Sequence, residues 1–129
     1  SMIRRLLRRG IITVLVTGSG QNSLLDRLDT DFPDAFPECR RVTSASVTHG
    51  KPHPEPYLRG LDLAGVSACE AIGIDNAPLG VKSSHAAGLF TLGVVTGPVP
   101  AGELLRHGAD MIYNSMDECA KNISRLLDK

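Results

Sequence analysis

The chain has 129 residues, 42% of them hydrophobic and 22% charged, with 14 basic residues set against 14 acidic ones. That size suits one globular domain with its own core. Zero net charge excludes a global field pulling it toward nucleic acid or a membrane surface, and no apolar run approaches the roughly 18 residues of a membrane span.

Ser1-Met2 reads as a remnant of cloning, followed by a short helix over 2–9 ending at Gly10, a residue suited to a helix C-terminus. Its Arg4, Arg5, Arg8 and Arg9 form a solvated helix face, since no aromatic or serine-rich context supports a nucleic-acid patch or transit peptide. Ile11 to Val16 is rich in β-branched residues and predicts a buried strand. Asn22 and Ser23 can cap a helix carrying Leu24, Leu25 and Leu28. A strand is expected near Arg41–Val47, then a helix from about Pro54 carrying Tyr57, Leu58 and Leu61. Ala71–Ile74 predicts a strand, Pro78–Ala87 a helix closed by Gly88, and Phe90–Val95 another strand. A short helix near 101–107 and a strand at Met111–Tyr113 follow. Ser115 and Glu118 then form a capping-box pair ahead of a last helix, on which Met116, Cys119, Ala120, Ile123, Leu126 and Leu127 share one face. Alternating strands and helices without repeats or linkers predict one α/β domain, a Rossmann-like three-layer sandwich around a parallel sheet. Cys39, Cys69 and Cys119, odd in number and widely spaced, fit neither a disulfide framework nor metal-ligand spacing and point to a reducing cytoplasm.

Ligands in such sheets bind beyond the carboxyl ends of the strands, where three polar clusters fall. Thr17-Gly18-Ser19-Gly20-Gln21 offers a hydroxyl and a run of backbone N–H groups at a strand-to-helix turn, which suits phosphate. A dinucleotide fingerprint is the rival reading, but Ser23 stands where the third glycine should be and no acid closes a second strand at the right distance. A glycine turn with no ligand remains the bland alternative. In Gly50-Lys51-Pro52-His53-Pro54-Glu55-Pro56-Tyr57, closely spaced prolines stiffen the approach to a helix and would hold Lys51 in one orientation, a point cation for phosphate. His53 reads equally well as a surface residue or a substrate contact. In Gly73-Ile74-Asp75-Asn76-Ala77-Pro78-Leu79-Gly80-Val81, Asp75 and Asn76 end a strand as hard oxygen ligands suited to Mg2+. Taken alone, either could instead merely cap the helix at Pro78.

Strand-Thr-Gly-Ser, then Gly-Lys-Pro-x-Pro-Glu, then acid-Asn-Ala-Pro-x-Gly-Val together resemble motifs two, three and four of the haloacid dehalogenase superfamily, above all its β-phosphoglucomutase-like branch. The likeness runs from about Leu7 to Ser115. It implies that Thr17 hydrogen-bonds a transferring phosphoryl group with Gly18 and Ser19 beside it, that Lys51 neutralises it, and that Asp75 with Asn76 helps place Mg2+. It further implies an aspartate nucleophile, an aspartyl-phosphate, and a small phosphorylated metabolite such as a sugar phosphate as substrate.

Two departures qualify the likeness. Asn76 stands where many members carry a second acid, which should weaken the hold on Mg2+. Motif one, an Asp-x-Asp-Gly-Thr ending a central strand, does not precede Thr17. Asp29-Thr30-Asp31 imitates it in letters, but Phe32-Pro33 follows and no buried strand leads in. The segment between Lys51 and Asp75 holds a helix and a strand but no cap domain. The expectation is the carboxyl-terminal portion of a longer enzyme, inactive alone, whose strands ending at Thr17 and Asp75 pair with each other, with another copy or with a separate amino-terminal segment. Two competitors are a catalytically dead phosphate-binding scaffold and a signalling receiver domain. The receiver pattern needs acids before its Thr, where this chain has arginines and apolar residues.

Overall fold

The computed structural model describes residues 10–17, 41–95, 98–115, 118–119 and 121–123. The expected helices over 2–9 and from Leu24, together with Gly18, Ser19 and Asp29–Asp31, lie outside the described residues.

Two groups of parallel strands carry the site. In the first, β1 (Leu15–Val16) pairs with β2 (Arg41–Val42). In the second, β3 (Ile72–Asp75), β4 (Phe90–Val94) and β5 (Met111–Tyr113) lie in that order. Three helices connect them: α1 (Glu55–Ala64), α2 (Pro78–Ala86) and α3 (Ala101–Arg106). Residues 118–119 and 121–123 are also helical.

Strand alternation explains the layering, because successive side chains point to opposite faces. On one face Ile72, Ile74, Leu92, Val94, Met111 and Tyr113 pack with the buried Cys119 of the last helical residues. On the other, Ile112 packs with Val81 of α2 and Leu104 of α3. Gly93 lies so close under Leu104 that a Cβ there would crowd it. Thr91 and Ser84, both fully buried, satisfy each other with a 2.8 Å hydroxyl pair. Both faces of β3-β4-β5 are therefore covered, the three-layer α/β arrangement expected. Under β1, α1 comes close enough that a Cβ on Gly60 would touch Val16 and Val14. Gly65 ends α1 with φ 71°, a left-handed cap for which glycine is favoured. No helix among the described residues is long and apolar enough to cross a membrane.

Several expectations need correction. Of the strand expected over Ile11–Val16, Leu15–Val16 forms β1, paired in register with the two-residue β2. The strand expected to Val47 stops at Val42, since Thr43 caps a 3-10 turn at Ser44–Ser46 through a reciprocal bond with Ser46. Ser115 does accept the Glu118 N–H at 3.0 Å, but Glu118 reaches back to Asn114 N–H instead of closing the box on Ser115. β1 and β3 belong to separate hydrogen-bonded sheets, so their direct pairing, one of the three closures expected, is not what forms.

Candidate active site

What spans from β1 to β3 is a side chain. Lys51 Nζ donates to the Val16 carbonyl at the end of β1, 3.2 Å away, and to Asp75 Oδ2 at the end of β3, 2.8 Å away. The two side chains are 20% and 10% exposed, so the pair is partly desolvated yet open on one side. Thr17 directly follows Val16, and its N–H continues the ladder to the Val42 carbonyl at 2.9 Å. Lys51 and Asp75 thus meet, beside the strand end that leads into Thr17. Asn76 is exposed on the following turn.

The lysine is aimed by its loop, as the prolines suggested, but the clamps are tertiary. Glu55, opening α1, turns its carboxylate back to accept Thr48 N–H at 2.6 Å and His49 N–H at 3.1 Å. Those backbone bonds, foremost that from Thr48, hold the Glu55 carboxyl below its ordinary range. His53 N–H closes a turn onto the Gly50 carbonyl at 3.0 Å. The fully buried Ser83 of α2 donates to the His53 carbonyl at 2.7 Å, tying the loop to the helix that follows Asp75. The Lys51–Pro52 peptide is cis.

Asp75 is held as firmly. Its Oδ1 accepts Asn76 N–H at 2.8 Å and Ala77 N–H at 3.0 Å, while Oδ2 takes Lys51 and the Tyr57 hydroxyl at 3.1 Å. Tyr57 also stands 3.4 Å from the Ile74 carbonyl, but its single proton favours the shorter, charge-assisted bond. Burial first, and then the Asp75 charge, push its phenol well above its ordinary value, so it stays a donor. Lys51 Nζ sits 5.5 Å from the Tyr57 ring centroid, within cation–π range. Two glycines make this packing possible. A Cβ on Gly80 would overlap the Asp75 carboxylate, and one on Gly73 would strike Ser84 and crowd the Tyr57 ring.

Sequence reasoning missed Tyr57, Ser83 and the clamp from Glu55. Tyr57 closes the Lys-Pro string and lies on the helix that follows, but nothing in the sequence marks out a role of its own for it. For a cation, Asp75 and Asn76 offer hard oxygens on an exposed turn, which fits by donor chemistry. However, all four acceptor positions of the Asp75 carboxylate already have partners, so an ion there must share them.

Comparison with known proteins gives the family and the fold. The model of haloacid dehalogenase-like hydrolases matches residues 1–94, and the chain belongs to that family. Hexitol phosphatase A of Escherichia coli is 34% identical over 77 residues, 60% of this chain and 34% of that protein. Glycerol-1-phosphate phosphohydrolase 2 of Saccharomyces cerevisiae is 36% identical over 62 residues, 43% of this chain and 25% of that one. A solved structure of a beta-phosphoglucomutase-like protein from Bacteroides vulgatus superposes with a TM-score of 0.92 at 42% identity. That match covers 98% of this chain and 51% of the other. The likeness is to the β-phosphoglucomutase-like branch, and the chain spans about half the length of that structure.

Proposed function

We propose that this chain supplies the phosphate-binding rim of a Mg2+-dependent phosphatase or phosphosugar mutase acting on a small phosphorylated polyol or sugar. The observation that carries the reading is Lys51, fixed between the Val16 carbonyl and Asp75 at the carboxyl ends of two parallel strands. An ammonium so placed neutralises phosphoryl charge without reorganising as charge shifts, the main demand of phosphoryl transfer. Thr17 N–H is bound to Val42; as the family resemblance implies, Thr17 would hydrogen-bond the phosphoryl oxygens, with Gly18 and Ser19 following. Tyr57 and the two turn amides hold the Asp75 carboxylate in place, and Asp75 in turn anchors Lys51. Asp75 and Asn76 would hold Mg2+, which when bound would offset the negative charge of the phosphate ester. One carboxylate with all its positions shared, beside a neutral amide, predicts modest affinity.

The names of the curated relatives, a hexitol phosphatase and a glycerol-1-phosphate phosphohydrolase, support a polyol or sugar phosphate as the substrate class. The aspartyl-phosphate route needs an aspartate nucleophile that no motif in this sequence supplies, so turnover would belong to the longer parent. β1 and β3 each pair on one side only among the described residues. That supports a further strand pairing there, from another copy or a preceding segment. Free cysteines at Cys69 and Cys119 are compatible with a reducing cytoplasm.

The test has two arms. Incubated with a phosphomonoester and Mg2+, the chain should give neither burst nor turnover, and activity dependent on Thr17 or Lys51 would overturn the nucleophile's assignment to the parent. Inorganic phosphate should bind, and Lys51→Met should weaken it at least about tenfold. No binding, or none lost in that variant, would overturn the rim itself.

A further inference from the structure

The loop that aims Lys51 carries a second set of polar groups. Among the described residues, His49, His53 and Glu55 each place one potential ligand atom within 4.8 Å of the others. Both imidazoles are exposed, and their rings stack with centroids 4.7 Å apart and an interplanar angle of 24°. His49 Nδ1 lies 3.3 Å from Glu55 Oε1. Two ligands bound about 2.0–2.1 Å from one tetrahedral ion are themselves about 3.3 Å apart. The carboxylate is anchored through Oε2 on Thr48 N–H and Oε1 on His49 N–H, which leaves Oε1 one further acceptor position for an ion.

We propose that His49, His53 and Glu55 form a binding site for a borderline transition-metal ion of the Zn2+ class, distinct from the oxygen site on Asp75 and Asn76. Imidazole ligands select such ions, while Mg2+ prefers oxygen donors and near-octahedral geometry. Three protein ligands leave a fourth position for water. Binding costs two existing contacts. The ion replaces the hydrogen bond between His49 Nδ1 and Glu55 Oε1, and the neutral imidazole then carries its one ring proton on Nε2. His53, whose Nδ1 accepts Glu55 N–H at 3.1 Å, gives up that bond to engage through Nδ1. Both rearrangements involve exposed rings and leave the core alone. Because the two histidines flank Lys51 and Glu55 opens α1, a bound ion would rigidify the segment that aims the ammonium and add positive charge beside the phosphate rim.

The test uses the full chain free of any histidine tag. It is titrated with Zn2+ by calorimetry and with Co2+ by visible absorption, which reports coordination geometry directly. One ion per chain is expected, with His49→Ala, His53→Ala and Glu55→Gln each weakening it at least about tenfold. A large excess of Mg2+ should leave it unchanged. Circular dichroism without metal checks that the variants fold, as substitutions of exposed rings should permit. Absence of saturable binding overturns the proposal. So does binding that survives in the His49→Ala/His53→Ala double variant, which would place the ion elsewhere. Neither readout depends on phosphate, so failure here leaves the proposed phosphate rim standing.

Discussion

Removing Lys51 should expose how the rim is held. At 2.8 Å and an effective dielectric of about 20, the Lys51–Asp75 attraction is on the order of 6 kcal/mol before desolvation is counted. Breaking a fully buried pair typically costs about 3–5 kcal/mol, because one charge is left uncompensated. Here Asp75 would keep Tyr57 and two backbone N–H donors, and both side chains retain some solvent contact. Lys51→Met should therefore cost about 2 kcal/mol, and Asp75→Asn a similar amount, since Lys51 would still reach the Val16 carbonyl. Urea unfolding at fixed pH gives both values, provided the slope with denaturant is shared. The double variant should lose less than the sum of the singles, with a coupling of about 1–3 kcal/mol. Raising salt to about 1 M should reduce that coupling only slightly, as screening reaches a partly buried pair poorly. Coupling under about 0.5 kcal/mol, or its collapse in salt, would mean the pair is a surface contact of little consequence and the reasoning fails.

Two further outcomes follow from the same packing. Burial and the Asp75 charge raise the Tyr57 pKa, so its contribution is complete below the unfolded value near about 10 and is lost as pH rises beyond it. Between about pH 10 and about pH 11 the wild type should lose about 1 kcal/mol more than Tyr57→Phe; equal slopes in urea unfolding would refute the assignment. Tyr113 and Cys119, both raised chiefly by burial, add alkaline slope to wild type and variant alike. Gly80→Ala should destabilise by about 1–3 kcal/mol, because displacing the Asp75 carboxylate outweighs the roughly 1 kcal/mol helix preference of alanine over glycine. A variant as stable as the wild type would show that the close approach at α2 is not a constraint.

What could be read from the chain depended on whether the determinant was local. β5 has the expected bounds because Met111–Tyr113 is a short apolar run between turn residues. α2 begins at Pro78 because proline suits a first helical turn. The strands near Val14 and Val47 were overextended, since β-branched residues favour strand but cannot supply a hydrogen-bonding partner. Thr43, a strong capping residue, ended β2 early. At the site, Lys51 and Asp75 were each legible from their motif strings. The Tyr57 hydroxyl on Asp75 and Ser83 on the loop carbonyl were not. Those contacts join residues far apart in sequence, and no local pattern marks them.

Phosphate titration followed by amide and side-chain nuclear magnetic resonance tests most directly whether one rim gathers these groups. With inorganic phosphate added, signals from Thr17, Lys51, Asn76 and Ala77 should shift together along a single binding curve. Shifts confined to other surfaces, or separate curves for the Thr17 and Asp75 strand ends, would contradict it.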